Sequence, residues 1–309
     1  MIKDGSEAFL TIVVPVYNSA KYVGATLKSI VDVLGNTRDV EVIIQDSCST
    51  DGSTKIIADF IRDYGYFRHF VEKDAGQSDG INRAAGRSGA EWITWLCADD
   101  LLLRSFRMIL EGLRMCTNDV VYGDCVMMLG SGTLVPSIGT ETYRQGILSR
   151  KRMILPQPGT CVRKRLWDEV GGVDLSLNWT MDYDFFLKLE TRDARFLRLD
   201  EFVAAARIYH EAKTSSGSIK RLFEHWQIVS RAHFRRISYF SFIPYVLYAT
   251  EYVIKKMESK NIDFCLGKLH KLFWKIGSAE EKEAISARFV NRRNEIEHEI
   301  SEVNKGYLV

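Results

Sequence analysis

Net charge is almost absent from this chain of 309 residues: 42 Lys and Arg stand against 40 Asp and Glu, leaving +2. That balance withdraws the electrostatic support a nucleic-acid partner needs. None of the six cysteines (Cys48, Cys97, Cys116, Cys125, Cys161 and Cys265) forms a CxxC pair, and most lie in apolar runs. Buried free thiols in a reducing compartment follow. Residues 1–8 lack the charged-then-apolar layout of a signal peptide, so cytoplasmic residence is the expectation. Internal repeats and low-complexity tracts are missing too. What remains is an ordinary globular composition, 46% apolar and 27% charged, with length enough for a full core and a second small domain. The charge is unevenly spread. Residues 216–275 carry eleven Lys and Arg against four Asp and Glu, a surplus of +7 that leaves −5 for the rest.

Apolar runs at Leu10–Val16, Val40–Asp46, His69–Glu72, Trp92–Leu96 and Val120–Gly123 read as strands. Between them lie helical patterns: Tyr22 to Leu34, Ile56 to Ile61, Ile81–Ala85, and Met108 to Leu113. Alternation of this kind predicts a mostly parallel sheet covered on both faces, an α/β fold. In such sheets ligands gather outside the carboxyl ends of the strands. Pro15 to Asn18, Asp46 and Asp99-Asp100 all fall there. After Gly130-Ser131-Gly132 the pattern changes to short extended pieces, a helix near Arg165–Val170, a helix over Met181–Leu189 and strands within Phe196–Ile208. A polar linker, Lys213–Ser218, leads to a mainly helical remainder. The expected division is therefore 1–215, with nucleotide binding in 1–130 and an acceptor side in 131–215, followed by 216–309.

Four constellations carry chemistry. Adjacent carboxylates at a strand end, Asp99-Asp100, repel each other and suit a hard divalent cation such as Mg²⁺ or Mn²⁺; the plain alternative is a helix cap beside a solvated acid. The turn from Asp46 through Ser49 to Ser53 offers hydroxyls and N–H groups to phosphate or ribose oxygens, or simply caps a helix. Glu72 to Asn82, with Gly76 and Gly80, suits a polar loop over a ligand or an ordinary surface loop. Asp182, at the start of a helix, is placed to take a proton from an attacking hydroxyl or to compensate the helix dipole.

Taken in order, these segments resemble the inverting GT-A-fold glycosyltransferases of family 2, over roughly residues 9–215. Pro15-Val16-Tyr17-Asn18 and Ile43 through Thr54 are similar to the family's nucleotide-binding opening, Trp95 through Asp100 to its DxD region, and Gly171 through Asp184 to its acceptor-side helix. The resemblance implies that Pro15, Tyr17, Asn18, Asp46 and Ser49 hold the base and ribose of a nucleoside diphosphate sugar, UDP-sugar above others. It implies that Asp74, Asp79, Asn82 and Ala98 line the donor pocket, and that Asp99 holds Mn²⁺ or Mg²⁺ against the diphosphate. Arg207 and His210 then reach the diphosphate or the metal, and Asp182 is the catalytic base that transfers the sugar to a glycan or lipid-linked hydroxyl. The sequence departs from the family at Cys97, Gln45 and Met181, where acids often stand. Those departures give weight to a non-catalytic scaffold on a degenerate GT-A fold. A nucleotidyltransferase is the other rival, but the Gly-rich basic loop expected after its first strand is missing from Pro15 to Ala20.

In the C-terminal third, Arg235-Arg236 and Lys255-Lys256 flank an aromatic, apolar stretch, and 264–276 mixes leucines and aromatics with lysines. Basic flanks around an aromatic belt fit peripheral contact with the inner face of a membrane through 235–276. Packing on the catalytic domain or on another subunit, in a homo-oligomer, is the alternative. Ser278 to Glu281 starts a helix with an incomplete apolar stripe of Ile285, Phe289, Ile296, Ile300 and Val303.

Overall fold

The computed structural model describes residues 8–35, 37, 39–135, 142–150, 154–209, 212–213, 219–232 and 279–307. The first half alternates strand and helix: β1 (Leu10–Val16), α1 (Val23–Leu34), β2 (Val40–Asp46), α2 (Ser53–Ile61), β3 (Phe67–Val71), α3 (Gln77–Gly86) and β4 (Trp92–Trp95). Every residue of β1 and β2 is buried. β1 pairs in parallel with both β2 and β4, and β2 with β3. Pro15 is tolerated in this central strand because the ladder to β4 stops at Val13 opposite Trp95, so its missing N–H breaks no bond on that side.

The second half adds β5 (Leu101–Leu102), α4 (Phe106–Met115), β6 (Val120–Leu129), β7 (Leu134–Val135), α5 (Ile147–Arg150), β8 (Cys161–Arg163), α6 (Lys164–Glu169), α7 (Met181–Glu190) and β9 (Phe196–Ile208). Helices α8 (Ile219–Ala232) and α9 (Ala279–Asn304) follow. The strands form one sheet in the order β3-β2-β1-β4-β8-β6-β9-β5, with β7 paired to β6. β8 runs antiparallel to β4 and β6, whereas β6 and β9 are parallel.

Three expectations about strands need correction. The third strand begins at Phe67, the fifth runs on to Leu129, and Phe196–Ile208 is a single strand. The fifth outruns its apolar segment because Asp124, fully buried, is neutralised: Arg198 donates to both its oxygens at 2.9 and 3.0 Å and Arg288 donates at 2.7 Å. The register against β9 is irregular at that point.

Both faces of the sheet are covered. Leu10, Ile12, Val14 and Val16 point to a cluster with α1 and α4 that includes Val23, Leu27, Ile30, Phe106 and Ile109. Val13, Ile43 and Trp95 point the other way, into a cluster with Ile81, Trp167, Phe185 and Phe186 from α3, α6 and α7. A third cluster carries α9. Its stripe of Ile285, Phe289, Ile296, Ile300 and Val303 packs on Leu101, Val126, Met128, Phe202 and Ala205. Each large side chain buried in this way stabilises the fold by roughly 1.5–3 kcal/mol. The stripe is incomplete because Arg292 occupies its gap and pairs with Glu201 at 2.6 Å. Beyond the expected division at residue 215, α9 thus packs on the sheet, and α8 places Ile228 in the second cluster. The expected membrane-facing stretch 235–276 lies outside the described residues. Among the described residues no helix is long and apolar enough to cross a membrane.

Candidate active site

The carboxyl ends of β1 and β2 carry two loops that are laced together. Asn18, with φ of 48°, donates its N–H to Ser49 Oγ at 2.9 Å, and Thr50 N–H returns to Asn18 Oδ1 at 2.9 Å. Ser19 N–H reaches Ser53 Oγ, and Ala20 N–H reaches Asp51 Oδ2, both at 2.8 Å. Asp46 is 0% exposed. Its oxygens accept from Ser49 N–H at 2.9 Å and from the Thr54 hydroxyl at 2.5 Å. The carboxylate expected to meet the base therefore pins the turn that follows it. Tyr17, by contrast, is 59% exposed, with Lys73 Nζ 5.1 Å from its ring centroid. It is a free aromatic platform at the strand ends.

The segment from Glu72 to Asn82, expected as one polar loop, is loop only as far as Gly76, because α3 begins at Gln77; that loop is likewise held by acids. Gly76 N–H donates to Asp74 Oδ1 at 3.0 Å, and Ala75 N–H donates to Asp79 Oδ2 at 2.9 Å. Asp79 also pairs with Arg83, and the Ala75 amide and that guanidinium hold its carboxyl below the usual range. Asn82 spends both ends of its amide on Val173: Nδ2 donates to the carbonyl at 2.8 Å and Oδ1 accepts the N–H at 3.0 Å. Asp79 and Asn82 are expected to line the donor pocket; in the structure Asp79, in the first turn of α3, bonds to Ala75 and Arg83, and Asn82 joins that helix to the Gly171-Gly172 turn through Val173. That turn needs glycine. Gly172 has φ of +69°, and a Cβ there would lie 2.4 Å from Asn82 Oδ1.

The acidic cluster after β4 is built differently. One ligand atom from each of Cys97, Asp99 and Asp100 lies within 4.8 Å of the others. Burial and the neighbouring Asp99 push Asp100 well above the usual carboxylate range. Burial also raises Asp99, although Tyr209 donates its hydroxyl to Asp99 Oδ2 at 2.8 Å. Ala98 is buried beneath the loop, which leaves only its backbone to a ligand. Cys97 sits in a polar chain. Lys213 Nζ donates to Gln77 Oε1 at 3.1 Å, Gln77 Nε2 to Cys97 Sγ at 3.3 Å, and Cys97 Sγ to Gln157 Oε1 at 3.5 Å. Burial, then Asp100, Asp99 and Asp182, push the thiol far up, so Cys97 stands as a protonated thiol.

Arg207 was expected to reach the diphosphate. Instead it is 3% exposed and braces the loop from behind. Its N–H donates to Asp100 Oδ1 at 2.9 Å, Nε to the Asp99 carbonyl at 2.9 Å, Nη1 to the Gly130 carbonyl at 3.1 Å, and Nη2 to Asn304 Oδ1 at 3.0 Å. Tyr209, which sequence reasoning missed, is the residue of this strand end whose side chain reaches the Asp99 carboxylate. It stands two places after Arg207, one strand period on, which was the available signal. His210 lies outside the described residues.

Asp182 occupies the first turn of α7 and accepts Tyr183 N–H at 2.8 Å. Its charge is felt at Cys97 together with those of Asp99 and Asp100, and Lys213 lies within reach of both Cys97 and Asp182. Gln77, which is bonded to Cys97, is followed by Ser78, whose hydroxyl lies 2.9 Å from Met181 Sδ beside Asp182, so the two acidic groups, more than 80 residues apart in the chain, flank the start of α3. Burial raises Asp182 as well, against the opposing pull of Arg221 and Lys213.

Residues 11–153 match the profile of glycosyl transferase family 2. That match spans just under half of the chain. An uncharacterised glycosyltransferase of Haemophilus influenzae is 26% identical over 189 residues, which are 58% of this chain and 61% of that protein. The chain thus spans about three-fifths of this relative's length. Among solved structures, residues 1–349 of TarS from S. aureus in complex with UDP-GlcNAc superpose with a TM-score of 0.59 at 20% identity, covering 74% of this chain and 67% of that one. The mannosyltransferase PcManGT from Pyrobaculum calidifontis, in complex with GDP-Man and Mn²⁺, gives a TM-score of 0.56 at 14% identity, covering 98% and 88%. These likenesses establish a GT-A-like fold for this chain.

Proposed function

We propose that this protein is an inverting glycosyltransferase that moves a sugar from a nucleoside diphosphate sugar, UDP-sugar above others, to a hydroxyl of a glycan or lipid-linked acceptor. The observation that carries the reading is the approach of Asp182 to the Asp99-Asp100 loop across the start of α3, beside the carboxyl ends of the strands. The match of residues 11–153 to the glycosyl transferase family 2 profile supports it. So does the fold shared with proteins whose structures hold UDP-GlcNAc, or GDP-Man with Mn²⁺.

The acidic cluster fits a hard divalent cation, Mn²⁺ or Mg²⁺. Two adjacent buried carboxylates, both raised by burial, are stabilised when a cation joins them. Asp99 and Asp100 would hold it; the protonated, soft Cys97 is a poor ligand for such an ion. When bound, the cation supplies positive charge beside the departing diphosphate.

The chain's own residues do the rest. Tyr17 offers its exposed ring for stacking on the base, and the laced loops of Asn18, Ser49 and Asp51 shape the ground beneath the ribose. Lys213 adds a cation at the pocket's rim. Asp182 accepts the proton of the acceptor hydroxyl as its oxygen bonds to the anomeric carbon and the bond from that carbon to the phosphate oxygen breaks. One displacement inverts the anomeric centre. The basic aromatic sequence 235–276 supports an acceptor presented at the inner face of a membrane.

The test is release of UDP or GDP from a panel of UDP-linked sugars and GDP-mannose with Mn²⁺. Turnover that disappears in Asp182→Asn is the expected result. A well-folded wild-type protein that binds the donor but never turns it over favours the scaffold reading to which Cys97 gives weight.

A further inference from the structure

Helix α8 holds a carboxylate that the mechanism above does not use. Glu224 is 9% exposed and accepts four hydrogen bonds. Its Oε1 takes Asn178 N–H at 3.0 Å; its Oε2 takes Trp179 N–H at 2.9 Å, Thr180 N–H at 3.3 Å and the Thr180 hydroxyl at 3.1 Å. Three successive backbone donors thus converge on one anion immediately ahead of α7, the helix whose first turn carries Asp182. Amides and dipole at a helix start attract negative charge. An acid in the first turn, such as Asp182, is drawn back toward those donors unless another anion already occupies them. Glu224 occupies them, leaving Asp182 to the N–H groups of Tyr183 and of its own residue. Two further contacts fix α8 to the same segment. The His225 ring stacks on Tyr183 with centroids 4.7 Å apart and planes 6° apart. Arg231 lies 3.7 Å from Asp174.

We infer that Glu224 is a positioning residue for transfer: by gathering the Asn178–Thr180 amides it sets the first turn of α7 and turns the Asp182 carboxylate toward the pocket. This rests on the reading of Asp182 as the base. Glu224 touches no reacting atom and acts wholly through α7.

The neutral isostere Glu224→Gln replaces one accepting oxygen with an N–H₂ group facing N–H donors, whereas Glu224→Asp keeps the charge one methylene short. The assay is release of nucleoside diphosphate from UDP-N-acetylglucosamine, UDP-glucose, UDP-galactose and GDP-mannose with Mn²⁺, water being the acceptor, alongside calorimetric donor binding. Glu224→Gln is expected to lower kcat on the order of 10–100-fold, as small displacements of a catalytic group do, with donor Kd unchanged. Glu224→Asp should recover part of the loss. In an Asp182→Asn background, Glu224→Gln should cost nothing further, because a residue acting only through Asp182 has nothing left to position. Additive losses in the double variant, or an unchanged kcat in folded Glu224→Gln, overturn the inference. Should Glu224→Gln not fold, Glu224→Asp decides: a kcat equal to wild type overturns the inference, and a lowered kcat at unchanged donor Kd supports it. Wild-type turnover that survives Asp182→Asn overturns instead the reading of Asp182 on which the inference stands.

Discussion

Two sets of aspartates lie at the same edge of the sheet, and they are compensated in opposite ways. Asp46, Asp51, Asp74 and Asp79 accept from backbone N–H groups, hydroxyls or Arg83 close by in sequence. Burial pushes Asp51 up, but bonds from Ser53 and Ala20 outweigh it, and its carboxyl ends below the usual range. Asp99, Asp100 and Asp182 each accept a hydrogen bond from the protein as well, yet all three are raised by burial. The first set is neutralised by local donors and behaves as structure. The second set carries more buried negative charge than the chain's own donors relieve, the condition under which cation binding and proton transfer become favourable.

The comparison breaks most sharply at Asp182. Asp182→Asn should lower kcat by about 10²–10⁴-fold, the usual worth of a general base, with donor affinity unchanged in titration calorimetry; collapse of donor binding with turnover intact would reverse the assignment. Asp99→Asn comes next. It should abolish the gain in donor affinity that Mn²⁺ confers, while the melting temperature of metal-free protein holds or rises, because a buried charge has been removed. A melting point lowered by several degrees would put Asp99 in the structural set. On the other side of the comparison, Asn82→Ala should lower stability by about 2 kcal/mol, roughly 1 for each hydrogen bond to Val173. Denaturant unfolding measures it, and metal-dependent donor affinity should not change. The smallest expected effect is in pH. Asp182 must be ionised to accept a proton, and its carboxyl is raised. The acidic limb of kcat/KM should therefore fall away at a pH above that of an ordinary aspartate. A limb at the ordinary carboxylate position would show that burial does not govern this group.

Much of the sheet was legible because a strand covered on both faces must be apolar at nearly every position, as Leu10–Val16 and Val40–Asp46 are. β5 was not, since two leucines beside a helix carry no period, and the length of β6 was hidden by Asp124. For the site, Asp99, Asp100 and Asp182 were visible as acids at the ends of elements. What those ends could not reveal is which polar groups are already satisfied. Asp79 and Asn82 look like pocket residues until Ala75, Arg83 and Val173 are seen beside them. Glu224 was invisible for a related reason: it caps amides 44 to 46 positions earlier in the chain, and nothing in the spacing of a charged helix announces so distant a cap. Arg207 was noticed but misjudged, because its three guanidinium partners come from Asp99, Gly130 and Asn304.

That last contact carries a consequence for how the protein comes into being on the ribosome. Asn304 is translated 97 residues after Arg207, so at roughly 5–20 residues per second the interval is about 5–20 seconds. Throughout it the nascent Asp99-Asp100 loop has Arg207 without the amide oxygen that steadies its guanidinium. A chain interrupted before that point keeps the Arg207 bonds to Asp100, Asp99 and Gly130 but loses the one to Asn304.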